Sequence, residues 1–316
     1  RQGAPAQALT HALEAERLSP GDADLRVIIG VVHYQRKDYA AAREAFAAAV
    51  QADDGSADAH RNLAAVCFKL NDVETAARHF QRLAELSPRS SFGWSGYASC
   101  LAEMGREEEA WACFARAAAE NPTPQLHRDH AAALFNAGRI TEARAQIEAG
   151  LAADPGNALL HVARANCDLI ERGDLPAAWA EYEWRLRLDP ARYGERAPRW
   201  NGERCGGRTL LVYAEQGAGD TLLFARYLSR LSDRADGIVL QVAPALARLL
   251  RASAAHFGWN IGAWIEGTAR IGPDKVPYDL EVPLLSLVHA CGFPVERAAA
   301  PYLAVDEALR AHWARR

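Results

Sequence analysis

Small and apolar residues recur along the first part of the chain at a spacing close to 34 residues. One alanine column, with successive spacings of 34, 34, 34, 33 and 35 residues, is Ala8, Ala42, Ala76, Ala110, Ala143 and Ala178. Four positions after these come Ala12, Phe46, Phe80, Phe114, Ile147 and Tyr182, and twelve positions after them come Pro20, Asp54, Pro88, Pro122, Pro155 and Pro190. A small residue lets two helices cross closely, an apolar one fills the core, and proline ends a helix because it lacks an amide donor. The pattern predicts repeated pairs of helices.

The period is that of the tetratricopeptide (TPR) repeat, and Trp94, Gly30, Gly105, Gly138 and Gly173 occupy further positions of the TPR pattern. We therefore expect an α solenoid of TPR helix hairpins over residues 1–190. It comprises a partial first repeat followed by repeats near 23–54, 57–88, 91–122, 124–155 and 159–190.

The pattern changes after Pro190. Residues 191–207 are expected to form a linker, and 208–316 an α/β domain. A short apolar run at 209–214 predicts a buried strand, the glycines that follow predict a tight turn, and an amphipathic stretch from Thr221 predicts a helix. Further strands are predicted at 237–242 and 278–282, and further helices at 245–255 and 284–290. The alternation favours a parallel sheet covered by helices, a Rossmann-like arrangement.

Composition narrows the class of protein. The 316 residues are half apolar, with a net charge of −4 and a pI near 6.2, so the charge does not favour nucleic acid or an anionic membrane. No apolar run is long enough to span a bilayer. The six cysteines form no CxxC pair, which indicates buried thiols in a reducing compartment, and we expect a cytoplasmic protein. His127 and His130 are better explained as core or groove residues than as metal ligands, and no metal or cofactor is expected.

The glycine loop contains Gly217 and Gly219, but it matches neither a dinucleotide-binding fingerprint nor a P-loop. Two glycines before a helix still allow a phosphate or carboxylate to approach backbone amides. Asp220 has two interpretations. It either caps the helix that starts at Thr221, or lies at the carboxyl end of the first strand as a general base. The two roles are compatible.

Residues 207–227 resemble the signature of bacterial TPR-containing glycosyltransferases, through a strand, the loop Glu-Gln-Gly-Ala-Gly-Asp (215–220) and a Phe-Ala-Arg-Tyr helix. Residues 179–185 and 198–202 are similar to the junction of the same family. The resemblance implies the N-terminal half of a GT-B fold, akin to heptosyltransferases and O-GlcNAc transferase, with a nucleotide sugar as donor. It assigns the catalytic base to Asp220. Leu223 departs from the family, which usually has glutamine there.

The resemblance also implies a site around the glycine loop. Its expected substrate- and phosphate-binding residues are Glu215, Gln216, Gly217, Gly219, Thr221 and Arg226. Within this set, Glu215 and Gln216 would shape the loop, while Arg226 would pair with Glu215, bind the donor phosphate or form a structural salt bridge. Only about 109 residues follow Gly207, so we expect a fragment that lacks the donor half and is inactive alone.

Two functions remain open at this point. The first is an inverting glycosyltransferase whose TPR groove presents a protein or peptide acceptor. The second is a protein-interaction scaffold with a non-catalytic α/β appendage, because TPR arrays bind peptides in a concave groove. The predicted groove residues are Asp58, Arg61, Asn62, Arg128 and Asn136.

Overall fold

The computed structural model describes residues 10–12, 14, 15, 17–19, 21–172, 176–292, 302–304 and 310. Packing divides the chain into two compact units, Arg1–Leu160 and His161–Arg316. Three positions of the repeat pattern, Ala8, Pro20 and Gly173, lie outside the described residues, as does most of the predicted α/β domain after residue 292.

In the first unit, the described residues between 23 and 153 form four successive helix pairs. The pairs are α1 (Ala23–Gln35) with α2 (Tyr39–Ala52), α3 (Ala57–Lys69) with α4 (Val73–Leu86), α5 (Ser91–Glu103) with α6 (Glu107–Glu120), and α7 (Pro124–Asn136) with α8 (Ile140–Ala153). Several helices begin at a side-chain cap. For example, the Ser56 hydroxyl accepts a hydrogen bond from the Ala59 amide, and Asp72 accepts one from the Thr75 amide. The helical TPR solenoid predicted for this part of the chain is confirmed.

The repeating small and apolar columns form the core of the first unit. The column alanines Ala42, Ala76, Ala110 and Ala143 have no exposed surface. The apolar column packs beside them, with Phe46, Phe80, Phe114 and Ile147 all buried. Gly30 shows how tight the packing is, because a β-carbon there would lie 2.4 Å from the Phe46 ring. Helices can approach this closely only where one side is small.

The turn inside each helix pair repeats one backbone geometry. The middle one of its three residues takes a left-handed conformation in all four pairs, at Lys37, Asn71, Gly105 and Gly138, with φ of 63°, 63°, 74° and 74°. The amide of the next residue bonds back to the first helix, as in Asp38 N to His33 O at 3.0 Å and Arg106 N to Leu101 O at 2.8 Å. This closure is of the Schellman type, which favours glycine because a β-carbon is strained at positive φ.

Lys37 occupies a position where two of the other repeats have glycine, so Lys37→Gly is expected to stabilise the first unit. Relief of left-handed strain outweighs the extra chain entropy of glycine, for a net gain of about 0.5–1 kcal/mol in the free energy of unfolding. Urea denaturation followed by circular dichroism measures it. Gly105→Lys is the reciprocal variant and should lose a comparable amount. Equal midpoints for Lys37→Gly and the parent chain would contradict the assigned turn conformation.

The second unit contains helices followed by a parallel sheet. Its elements are α9 (Ala158–Arg172, which starts in the first unit), α10 (Pro176–Tyr182), a 3₁₀ helix (Glu183–Arg187), α11 (Pro190–Tyr193), β1 (Thr209–Tyr213), α12 (Ala218–Phe224), a 3₁₀ helix (Ala225–Arg230), β2 (Gly237–Val242), α13 (Pro244–Phe257), β3 (Ile261–Glu266), β4 (Leu280–Pro283), a 3₁₀ helix (Leu284–Ser286) and α14 (Leu287–Cys291).

The four strands lie in the order β3-β2-β1-β4, and all neighbouring pairs are parallel. The central strands β1 and β2 are buried along nearly their whole length, as their apolar runs predict. The edge strand β3 was not predicted, because its exposed positions interrupt the apolar run. The helix predicted at 284–290 begins as a 3₁₀ turn and becomes α-helical only at Leu287. A small parallel sheet is therefore established.

The division between the units differs from the predicted boundary at Pro190. Helix α10, which the repeat pattern assigns to the sixth repeat, contributes Trp179 and Tyr182 to the surface packed on the core of the second unit. The Trp179 ring lies edge-on to Phe224, with ring centroids 5.6 Å apart. Helix α10 thus packs on the core of the second unit, although its sequence keeps the repeat pattern.

Candidate functional site

Two adjoining cavities lie in the first unit, mostly along the first helices of the repeats. One has a volume of about 450 Å³ and is lined by Phe68, Ser99, Ala102, Glu103, Glu107, Trp111, Asp129, Ala132, Ala133, Asn136 and Ala137. The other, of about 280 Å³, is lined by Tyr34, Ala65, Phe68, Lys69, Phe80, Phe92, Ser95, Gly96, Ser99, Arg128 and Asp129. Phe68, Ser99 and Asp129 border both. We call the first the acidic cavity, the second the aromatic cavity, and the two together the groove.

The repeat pattern explains why these side chains meet. Tyr34, Phe68 and Ala102 stand 34 residues apart, at the same position of successive repeats, and all three line the groove. Lys69 and Glu103 are another such pair. Because stacked repeats present equivalent positions on the same side, one column of the sequence becomes one row of the groove.

Exposed aromatic surface distinguishes the groove from the rest of the solenoid core. Tyr34 and Phe68 are each 38% exposed, although both lie on helices that bury other apolar residues, such as Ile29 on α1 and Leu63 on α3. Beneath them, Phe80 is buried and packs against Gly96, where a β-carbon would lie 2.4 Å from the ring. The Phe80 ring, which the Gly96 backbone holds in place, thus forms part of the floor of the groove.

Of the predicted groove residues, Arg128 and Asn136 line the groove, and three others do not. Arg61 Nη1 donates to Asp58 Oδ1 at 3.0 Å, and Asn62 Nδ2 donates to the Asp58 carbonyl at 2.8 Å. These three groups satisfy one another along α3 because residues three and four apart share a helix face. Their role in peptide binding stays a prediction. The 34-residue steps from Tyr34 to Ala102 and from Lys69 to Glu103 were the sequence signal that would have found the lining residues.

The two histidines discounted as metal ligands pack within the repeats. The His130 ring stacks on Phe114 with centroids 4.4 Å apart, and His127 Nδ1 is bonded to Gln146 Oε1 at 2.9 Å. Burial, with the neighbouring His127, lowers the pKa of His130 to about 4. Within the described residues no cluster of histidine, cysteine and acidic side chains is suited to a metal ion.

The glycine loop of the second unit follows β1. Gly217 is the N-cap of α12, with φ of −65°, so the helix begins at Ala218, earlier than Thr221. Asp220 consequently lies inside the first turn, and no side chain caps this helix. The interpretation of Asp220 as the cap is wrong for this reason. Neither Gly217 nor Gly219 takes a positive φ. The tight turn predicted at these glycines does not form there, because Gly217 is the N-cap of α12 and Gly219 lies in its first turn.

The space around this loop is open. A β-carbon at Gly219 would meet no atom within 4 Å outside its own helix, and one at Gly217 would meet only Asp220 Oδ2, at 3.7 Å. Asp220 is exposed and forms no hydrogen bond or ion pair with another described residue. The Asp220 carboxylate is therefore unpaired among the described residues. The two glycines beside it are required neither by a positive φ nor by close packing.

The carboxylate of Glu215 is bound by other groups of the protein. Its side chain is fully buried, and its two oxygens accept hydrogen bonds from the Leu284 amide (3.1 Å), the Leu285 amide (3.3 Å) and Arg185 Nη2 (3.1 Å). Burial raises the pKa of this carboxyl, and Arg185 opposes that rise. With both oxygens engaged, Glu215 holds the loop to the residues after β4 and is closed to a ligand. Arg185, which sequence reasoning did not assign to the site, is its cationic partner.

The remaining predicted loop residues are also engaged by the protein. Gln216 Nε2 donates to the Tyr193 hydroxyl at 3.2 Å, and the buried Thr221 donates its hydroxyl to the Gly217 carbonyl at 3.0 Å. Arg226 does not pair with Glu215. Its Nη2 donates to the Tyr302 hydroxyl at 3.1 Å, and its guanidinium lies 4.5 Å from the Tyr302 ring centroid. The predicted ion pair is replaced by a cation–π contact.

A buried charge network joins the 3₁₀ helix after α10 to the sheet. The Arg185 guanidinium contacts Glu183 and Glu215, and its Nη2 also donates to Ser286 Oγ at 2.9 Å. The Ser286 hydroxyl donates in turn to Glu183 Oε2 at 2.8 Å. One cation thus compensates two carboxylates in a region with little exposure.

Replacing Arg185 with methionine should destabilise the second unit by about 3–5 kcal/mol, because the change leaves two carboxylates in a buried setting without their cation. Thermal unfolding followed by tryptophan fluorescence reports the loss. Arg187→Met is the matched control, since Arg187 is exposed and stacks on Trp184 at 3.8 Å. If both variants unfolded at the same temperature, the network would not be a source of stability.

Comparison with known proteins supports the repeats. Residues 1–57 and 68–124 match a tetratricopeptide repeat family, and residues 33–91 match a second one. Protein FlbA of Caulobacter vibrioides is 25% identical over 243 residues, which are 64% of this chain and 40% of FlbA, so the chain spans well under half of that relative.

Solved structures resemble the chain in fold. A TPR protein from Parabacteroides merdae is 16% identical with a TM-score of 0.50, covering 61% of this chain and 82% of its own. TTC0263, a TPR protein from Thermus thermophilus, is 23% identical with a TM-score of 0.47, covering 53% and 92%. Residues 1–124 therefore carry tetratricopeptide repeats, and repeats of this kind bind peptides and proteins. No described helix has the length and apolar character that crossing a membrane requires.

Proposed function

We propose that this protein is a peptide-binding scaffold whose ligand occupies the groove of the first unit. The observation that carries the proposal is Phe68, a partly exposed aromatic side chain that borders both cavities. Binding sites combine apolar surface with a few placed polar groups, and the groove has this composition. Cys67, Cys100, Cys113, Cys205 and Cys291 are free thiols, which fits the cytoplasmic location predicted above.

The helical framework favours binding by a preformed surface. Phe68 lies on α3, and most of the other groove residues lie on α3 or on the first helices of the adjoining repeats. Those helices are fixed by the buried alanine column, so few groove side chains need to be ordered when a ligand binds. A preordered surface reduces the entropic cost of association.

Phe68→Asp is expected to abolish binding of groove ligands, because it places a charge where an apolar side chain of the ligand would pack. Peptides selected from a phage-displayed random dodecapeptide library against the 316-residue chain supply the ligands. Fluorescence anisotropy should then show affinity falling at least about 30-fold in the variant, a loss of roughly 2 kcal/mol that is typical of a central anchor.

Leu70→Asp is the matched control. Leu70 is 39% exposed, close to the 38% of Phe68, but it lines neither cavity. Its variant should bind selected peptides as the parent does. A library that yields no peptide sensitive to Phe68→Asp, or equal losses in the two variants, would refute the groove as the binding site.

A second candidate function is glycosyl transfer, with Asp220 as the base. The observation that favours it is the free carboxylate at the carboxyl end of β1, beside two glycines that leave open space. Ligands of parallel α/β sheets bind at this end of the strands. Asp220 would accept the proton of an acceptor hydroxyl as that oxygen attacks the anomeric carbon of a nucleotide sugar, and the nucleotide diphosphate would leave with the anomeric bonding electrons. No cofactor is needed for this step.

Asp220→Asn tests this second candidate in the intact gene product, assayed with a panel of radiolabelled nucleotide sugars. Loss of a general base should lower the rate of transfer about 10²–10⁴-fold. Because Asp220 caps no helix, the melting temperature should change little, reflecting at most about 1 kcal/mol of lost helix-dipole interaction. Asp233→Asn, at another exposed aspartate of the same unit, is the control. Undiminished transfer by Asp220→Asn would exclude Asp220 as the base.

A further inference from the structure

The two cavities of the groove differ in charge. The acidic cavity is lined by Glu103, Glu107 and Asp129 and by no basic side chain. The aromatic cavity has Lys69 and Arg128 at its border, together with Asp129. Charge therefore changes sign along the groove, and the carboxylates are concentrated at one end.

Two carboxylates of the acidic cavity, Glu103 and Glu107, are paired with no described cation, whereas Asp129 contacts Arg128. The nearby cations are already committed, since Arg106 Nη2 lies 2.6 Å from Glu109 Oε2 and Arg139 Nη2 lies 2.6 Å from Glu142 Oε2. This end of the groove therefore retains unsatisfied negative charge.

Asp129 gives the acidic cavity a fixed acceptor. Gln125 Nε2 lies 2.8 Å from both of its carboxylate oxygens, and Arg128 Nη2 lies 3.0 Å from Oδ1. The Asp129 side chain is 21% exposed, so it is held in position and still reaches the cavity. The Trp111 ring of this cavity already carries the Arg139 guanidinium, 4.9 Å from its centroid, so the carboxylates are the groups left to bind an ammonium or guanidinium ion.

The aromatic cavity lies immediately beside this charge. Tyr34, Phe68, Phe80 and Phe92 line a volume of about 280 Å³, small enough to favour one large apolar side chain over a long segment. Because Phe68, Ser99 and Asp129 border both cavities, the two binding positions are adjacent. Neighbouring side chains of one extended peptide would reach both.

We propose that the groove recognises a protein segment with a basic side chain next to an aromatic or large aliphatic one, the basic group in the acidic cavity and the apolar group in the aromatic cavity. The assignment rests on the function proposed above and specifies its partner. Lys69 and Arg128 disfavour a run of basic residues, since further positive charge would meet them at the aromatic end. A single basic residue beside an apolar anchor matches both ends.

Three fluorescein-labelled octapeptides test the inference with the full chain: Gly-Ser-Gly-Phe-Arg-Gly-Ser-Gly, its Phe-Glu counterpart and its Ala-Arg counterpart. Anisotropy at low salt should show the Phe-Arg peptide binding about tenfold more tightly than either of the others, the equivalent of about 1.4 kcal/mol. Its preference over the Phe-Glu peptide should shrink as salt is raised, because the attraction is screened.

A double variant, Glu103→Gln with Glu107→Gln, removes the unpaired carboxylates without changing side-chain shape. It should lower the preference for Phe-Arg over Phe-Glu from about tenfold to about twofold, a change of about 1 kcal/mol. Glu108→Gln is the control, since Glu108 is exposed on the same helix as Glu107 and lines neither cavity. The control should keep the full preference.

The outcomes separate this inference from the proposed function. Equal binding of the Phe-Arg and Phe-Glu peptides, no binding of the Phe-Arg peptide, or an unchanged preference in the double variant would overturn the inference. The groove would still stand as the binding site if library peptides remained sensitive to Phe68→Asp. Ala-Arg binding equal to Phe-Arg would overturn the requirement for an apolar neighbour.

Discussion

The close approach of helices at fully buried alanines is the constraint on which the repeat array depends. At Ala42, Ala76, Ala110 and Ala143 there is no exposed surface, and larger apolar side chains pack one turn away. A wider residue in this column would push the paired helices apart and shift every equivalent position on the groove side. The aromatic surface around Phe68 is therefore fixed by residues that never contact a ligand.

Electrostatics plays the corresponding role in the second unit. Arg185 is buried between Glu183 and Glu215, and Glu215 in turn holds the amides of Leu284 and Leu285. This arrangement fixes the loop at the end of β1 against the turn after β4. The exposed Asp220 lies in the first helical turn after this loop. Its carboxylate is unpaired, while the loop before it is fixed by Glu215.

Hydrophobic patterning predicted the helix pairs, whose buried positions recur at a regular spacing, and the central strands, whose buried positions form continuous apolar runs. It did not predict β3, whose exposed edge positions break the apolar run, nor the true start of α12, where glycine takes an ordinary backbone conformation. At the groove, polar residues such as Arg61 and Asp58 suggested a binding surface but satisfy each other within one helix. Whether a polar side chain is free or paired depends on rotamers and neighbours, and the spacing of residues does not encode these.

Contacts between the last repeat and the α/β part of the second unit limit how the number of repeats can change. A gene rearrangement at the repeat boundary near Pro190 would add or remove a whole helix pair without disturbing the periodic pattern, yet it would separate Arg185 from Glu215. Exchange between repeats is tolerated only where each repeat meets nothing but its neighbours. The last repeat also supplies Arg185 to Glu215, so exchanging this repeat alone would leave a buried carboxylate without its cation.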